Sequence, residues 1–210
     1  MDISFLIKGF LIGFSIAAPV GPIGVLCIRR TLAEGRVSGF FSGLGAATAD
    51  AVYGSIAGFG LTFIPNFLIN QQIWFRLIGG MFLCYLGIKT FLDRPAEQQG
   101  VSINEKNLIG VYASTFFLTL TNPMTILSFA AIFAGLGLAS TGGNYISAGI
   151  LVFGVFIGST LWWLILNLGV GFLRIKFNPD RLRWVNRISG IIIFGFGLLA
   201  FLGLKEARLF

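Results

Sequence analysis

Six long apolar runs limit this chain more than any other feature: Ile3 to Ile28, Val37 to Ile64, Trp74 to Leu92, Leu108 to Leu138, Tyr145 to Leu173 and Trp184 to Leu204. A helix needs about 20 predominantly apolar residues to cross the hydrocarbon core of a bilayer, and each run supplies them. Charged residues make up 11% of the chain, where soluble domains carry about 25%. No water-soluble fold of this length hides so much apolar surface. The expectation is an all-α integral membrane protein with six transmembrane helices, built as a single transmembrane domain over residues 1–210. The first run resembles a signal peptide in length, but acidic Asp2 opens it and Pro19 follows its small-residue pair Ala17-Ala18, so cleavage is not expected.

The formal net charge of +7 would raise nucleic-acid binding in a soluble protein. Here the charges fall between apolar runs, where they set orientation, and no nucleic-acid partner is expected. Arg29, Arg30, Arg36, Lys89, Arg94, Lys106, Arg174, Lys176, Arg181, Arg183 and Arg187 fall on one side, and Lys8, Arg76, Lys205 and Arg208 on the other. The positive-inside rule then places both termini on the non-cytoplasmic side of a multi-pass protein of a bacterial-type cytoplasmic (inner) membrane. Cys27 and Cys84 lack a CxxC spacing and the chain has no His, so no metal site or cofactor is expected. Phosphate-loop, zinc-protease and nucleophile-elbow motifs are absent. An enzyme is not the reading, and any work must draw on a solute or ion gradient.

The chain also resembles itself. Trp74 to Leu92 laid on Trp184 to Leu202 gives six ungapped identities in nineteen: Trp74/Trp184, Ile78/Ile188, Gly80/Gly190, Gly87/Gly197, Phe91/Phe201 and Leu92/Leu202. Composition alone would give roughly two. Span 1 aligns with span 4 at Gly9/Gly110, Pro22/Pro123 and Leu26/Leu127, and span 2 with span 5 at Gly45/Gly154. Three spans is an odd number, so the second copy must enter the membrane from the opposite side. The expected architecture is a 3+3 inverted-topology repeat: repeat 1 over about 1–92, a connector over 93–107, and repeat 2 over about 108–210.

Two equivalent places in these halves cannot continue as regular helix. Pro19, Gly21, Pro22 and Gly24 fall within six residues of span 1, and Thr121-Asn122-Pro123 interrupts span 4. Each proline removes a backbone donor and clashes one turn back. In a bilayer such backbone persists only where protein or a water-lined cavity satisfies it. Helices 1 and 4 are therefore expected to break at proline, as substrate-binding helices of secondary transporters do; a plain packing kink is the alternative. Asp50 is the one acidic residue well inside an apolar run, among the small residues Ala46, Ala47, Thr48, Ala49 and Ala51. An anion there costs roughly 2.5 to 3.5 kcal/mol on insertion scales, so the group gains from a proton or a cationic ligand. Its alternative is a structural Asp with a fixed partner. The candidate substrate and proton-binding residues are Asp50, Thr48, Pro19, Gly21, Pro22, Thr121, Asn122 and Pro123. Glycines at four-residue spacing, Gly9/Gly13, Gly35/Gly39/Gly43 and Gly154/Gly158, permit close helix contact, either internal or at a homodimer seam.

The run Pro19-Val20-Gly21-Pro22 through Arg30-Thr31-Leu32-Ala33-Glu34-Gly35-Arg36, then Gly45 and Asp50, resembles the first-repeat signature of the lysine exporter (LysE/RhtB-type) family of amino-acid exporters. The segment Phe116 to Phe129 with Asn122-Pro123 is similar to that family's second motif. Two departures stand out: Val20 lies where the family has Pro directly before Gly, and Met124 replaces the usual Lys after Asn-Pro. The resemblance implies export of amino acids or related small solutes across the cytoplasmic membrane, coupled to protons. Outward movement of a cation against an inside-negative potential costs about 2.3 kcal/mol per charge per 100 mV, which an inward proton offsets. Two competing readings are a divalent-metal exporter, disfavoured by the shortage of His, Cys and intramembrane carboxylates, and a non-transporting scaffold or assembly factor, which leaves Asp50 unexplained.

Overall fold

The computed structural model describes residues 2–19, 21–59, 71–92, 105–136, 145–174 and 179–206. Among these the regular structure is all helical: α1 Asp2–Ala17, α2 Pro22–Ala33, α3 Arg36–Gly58, α4 Gln72–Leu92, α5 Glu105–Leu120, α6 Pro123–Leu136, α7 Tyr145–Arg174 and α8 Pro179–Glu206. Val20 and most of the expected connector 93–107 lie outside the described residues. Tyr145–Leu173 and Leu182–Leu202 are each long and apolar enough to cross a membrane, with mean hydropathy 2.1 and 1.9. Ile3–Ala17 and Pro22–Ala33 pass the same test as a pair whose axes differ by 79°.

Pro22 starts α2 at a position whose N–H would have no helical partner in any case. The helix closes with the Glu34 and Gly35 amides both bonded to Arg30 O. Gly35 then takes φ 112°, a left-handed turn that a side chain would oppose, and α3 begins at the next residue.

The distribution of polarity is that of a protein whose solvent is lipid. Trp74, Met81, Tyr85, Phe153, Ile165 and Leu199 face outward, while Ser42, Thr115, Ser159, Asn167 and Asn186 are buried. Hydroxyls inside the helices bond back to their own backbone, as Thr31 does to Cys27 O, Thr48 to Leu44 O and Thr119 to Thr115 O.

Glycines decide how closely the helices meet. A Cβ at Gly9 or Gly13 of α1 would collide with the carbonyls of Leu151 and Val155 on α7, and one at Gly154 or Gly158 with those of Leu6 and Phe10. These notches serve internal contacts. The matching order, Gly9 with Leu151 and Gly13 with Val155, makes α1 and α7 parallel. Gly45 of α3 meets the Tyr112 carbonyl and Phe116 amide of α5 in the same manner. In the α4/α8 pair, Gly87 lies on Gly190 O and Phe194 N while Gly197 lies on Gly80 O and Cys84 N. That contact is reciprocal and antiparallel. Residues matched by sequence share environments too, with Trp74 and Trp184 each 63% exposed and Ile78 and Ile188 each 52% exposed.

Replacing Gly13 or Gly158 by Ala forces backbone apart and should cost about 1–3 kcal/mol. Gly169→Ala, where a Cβ meets nothing within 4 Å, should change stability by less than about 0.5 kcal/mol. Unfolding midpoints in detergent check the contrast.

Candidate functional site

Two apolar clusters fill the interior, and α3 runs through both. The first joins Ala17 and Ile23, on either side of the α1/α2 break, to Ala46, Ala47, Leu118 and Trp163. The second joins Tyr53, Ile126, Phe129, Leu151 and Val155, with Ile16 and Leu120 packed against it. Asp50 lies on α3 between Ala47 and Tyr53, and Ser159 lies on α7 between Val155 and Trp163. At this waist the two side chains meet. Ser159 Oγ donates to Asp50 Oδ2 at 2.6 Å, with Asp50 3% and Ser159 0% exposed. The layers on either side of the carboxylate therefore contain the residues that flank both helix breaks.

Ser159 could have been found from the sequence. In the register that matches Gly45 with Gly154, Asp50 falls on Ser159. These two positions, equivalent in the expected register, meet where α3 and α7 cross.

Tyr53, one turn after Asp50, was not singled out by the sequence. Its hydroxyl donates to Leu120 O at 2.5 Å, the carbonyl at the end of α5. That carbonyl would ordinarily take the N–H of Met124, but Met124 N donates to Asn122 Oδ1 at 3.2 Å and Pro123 has no N–H. Tyr53 thus satisfies a group that the break orphans. Asn122 caps α6 in the manner of a helix N-cap; its Nδ2 also donates to Thr125 Oγ1 and its carbonyl takes the Ile126 amide. Thr121 Oγ1 turns back to Phe117 O.

The other candidates separate. Thr48 bonds Leu44 O on its own helix and does not join Asp50. Pro19 is exposed, Pro22 is buried, and Gly21 precedes α2 in extended conformation with φ −110° and no side-chain cap. Trp163, packed against Gly43, is buried with its indole N–H unpartnered among the described residues, as is the Thr160 hydroxyl. A buried donor left without an acceptor is uncommon and marks a place where a ligand can supply one.

Arg29 and Arg30 correct the sequence reading, which put them in a loop between spans 1 and 2. They lie within α2 and are each 6% exposed. Hydropathy ends the span at Ile28 because it cannot see hydrogen bonds that let a guanidinium enter the protein. Arg29 pairs with Glu34 at 2.7 Å and donates from Nε to Asn186 Oδ1 at 3.1 Å. Ser38 also donates to Glu34. Arg30 reaches α3 and α5 through Ser42, Thr115, Ser114 and Val111 O. Nearby, Asn167 on α7 accepts from Thr31 and donates to Arg36 O.

No three His, Cys, Asp or Glu side chains cluster as a metal site among the described residues. A family model, LysE type translocator, matches residues 14–203. The chain is 30% identical over 202 residues to YcgF of Bacillus subtilis (strain 168), a protein named for amino acid efflux, covering 93% of this chain and 95% of that one. It is 26% identical over 113 residues to an uncharacterized membrane protein of Synechocystis, slr1627, covering 53% and 55%. A second Bacillus subtilis membrane protein, YrhP, is 24% identical over 185 residues, covering 83% and 87%. No solved structure matches the chain.

Tyr53→Phe keeps the ring in its cluster and leaves the Leu120 carbonyl without its donor. It should cost about 1–3 kcal/mol, read as a lower unfolding midpoint. Hydrogen exchange should rise at the break around 121–124 and stay unchanged in α8.

Proposed function

This chain belongs to the LysE type translocator family, and from that membership we propose that it is a secondary exporter of amino acids or closely related solutes, driven by protons entering through Asp50. Family members are transporters and not enzymes. A membrane translocator with outward-facing apolar helices fits a bacterial inner membrane. The name of the relative YcgF supports an amino acid as cargo.

The observation that carries the reading is the Asp50 waist. One carboxylate in the interior of a membrane protein is held by a neutral hydroxyl, between layers that contain both helix breaks. A carboxylate so placed is stabilised either by a proton or by the ammonium group of a substrate. The two exclude each other, which is the requirement for exchange of cargo against protons. The unpartnered Trp163 N–H, one turn from Ser159, gives a substrate oxygen a donor in the neighbouring layer. The breaks supply the backbone that must rearrange for access to alternate.

The same contacts support a finer architecture. Spans 1 and 5 run parallel, spans 2 and 4 run parallel, and spans 3 and 6 run antiparallel, as six alternating crossings require. The reciprocal glycine contacts of α4 and α8 and the meeting of Asp50 with its register-mate Ser159 support a two-fold relation between the halves. We assign the fold as a 3+3 inverted repeat with both termini on the non-cytoplasmic side, the orientation that the basic residues favour.

Asp50→Asn holds the hydrogen bond and removes the titrating group. In proteoliposomes with an imposed proton gradient it should lower uphill efflux by more than about tenfold while amino-acid counterflow persists. Undiminished proton-driven efflux in that variant would remove Asp50 from the coupling step.

A further inference from the structure

Arg30 is as deeply buried as Arg29, and its surroundings differ from those of Arg29. Arg29 has the Glu34 carboxylate at 2.7 Å. Arg30 Nη1 donates to Ser42 Oγ at 3.0 Å, Val111 O at 3.0 Å and Thr115 Oγ1 at 2.6 Å, and Nη2 donates to Ser114 Oγ at 2.7 Å. All four acceptors are neutral. Glu34, one turn along, is already engaged by Arg29 and Ser38. Hydrogen bonds to neutral oxygens orient a guanidinium but give it no carboxylate in direct contact, and buried charges in membrane proteins normally pair.

A purely architectural demand would be expected in both halves, because both have a helix restarting at proline. The second half has no equivalent. α6, the counterpart of α2, reads PMTILSFAAIFAGL and carries no charge. Among the described residues the buried guanidinium groups therefore belong to the first half of the chain alone.

We propose that Arg30 is a carboxylate-binding subsite on the cytoplasmic approach to Asp50, with the hydroxyls of Ser42, Ser114 and Thr115 holding the guanidinium ready until an anionic group replaces one of them. The orientation and the export direction rest on the function proposed above; the carboxylate chemistry rests on Arg30 alone. Nη2 is the exchangeable position, since among the described residues it donates only to Ser114, which is half-buried, whereas Nη1 is enclosed by three acceptors. A planar fork suits a carboxylate bidentately. Ser42 and Asp50 lie eight residues apart on α3, about 12 Å at 1.5 Å per residue. The carboxylate and amine on one α-carbon cannot reach both groups together. Arg30 takes the carboxylate first, and Asp50 takes the ammonium after the solute has moved inward.

The test is the thermal unfolding midpoint of the detergent-solubilised full chain with each of the twenty standard amino acids and with its α-carboxamide. A ligand that binds the native state raises the midpoint by mass action. The expected result is stabilisation by at least one amino acid, with its amide needing at least about tenfold higher concentration, a difference of about 1.4 kcal/mol. Arg30→Gln should lose that preference. Equal response to amino acid and amide in the wild type would overturn the Arg30 assignment and leave the export reading intact, as would an unchanged preference in Arg30→Gln. Stabilisation by none of the twenty would also overturn it, while proteoliposome counterflow decides the export reading separately. Should Arg30→Gln fail to fold, Arg30→Lys keeps the charge without the fork and should lose only part of the preference. Ser114→Ala should then strengthen the response to carboxylate, because it removes the neutral competitor at Nη2; a response lost in Ser114→Ala would overturn the proposal.

Discussion

Hydrocarbon accepts no hydrogen bonds, so polar atoms in the interior of this protein are driven to find partners within the chain, and most of those described do. That requirement explains the density of small hydroxyl residues in the core. Ser42 and Thr115 bridge α3 to α5, Thr31 bridges α2 to α7 through Asn167, and Ser159 bridges α7 to α3 at Asp50. Such bridges are short, so they hold only where helix backbones come close together. The glycine faces of α1, α3 and α7 provide that closeness. Glycine spacing and hydroxyl placement are therefore one device: the first brings helices within reach, and the second fixes their register.

The two helix breaks are met differently by this requirement. At the second, Asn122 caps α6, Thr121 covers Phe117 O, and Tyr53 arrives from α3 to take Leu120 O. At the first, Gly21 offers no side-chain cap, and a Cβ placed on it would meet nothing within 4 Å. Among the described residues the first break is closed by fewer local hydrogen bonds than the second, and it borders the cluster that contains Trp163.

Legibility from the sequence followed the physics of each feature. Gly87, Gly190 and Gly197 were readable because a Cβ at any of them would strike the backbone of the facing helix. Asp50 was legible as a buried acid because it is the one acidic residue well inside an apolar run. Ser159 was implicit in the Gly45/Gly154 register, but that register does not say that the two positions touch. Arg29 and Arg30 were misread because a hydropathy window registers their charge and is blind to Glu34, Asn186, Ser42 and Thr115, which come from four places in the chain. Tyr53 was beyond reach, since an orphaned carbonyl becomes visible only when α6 is seen to start at Pro123.

The charge arrangement along α3 connects these features to transport. Ser42, at the Arg36 end, lies against a cation, and Asp50, two turns on, is an acid held by a hydroxyl. An amino acid carries both signs, and on the path we propose it meets them in sequence. In that proposal a cation at the approach and an acid at the waist give the solute a partner at each stage, and separation by about two turns of helix prevents the simultaneous engagement that would hold it too tightly for release. In the structure neutral hydroxyls hold both charged side chains: Ser42, Ser114 and Thr115 around Arg30, and Ser159 beside Asp50.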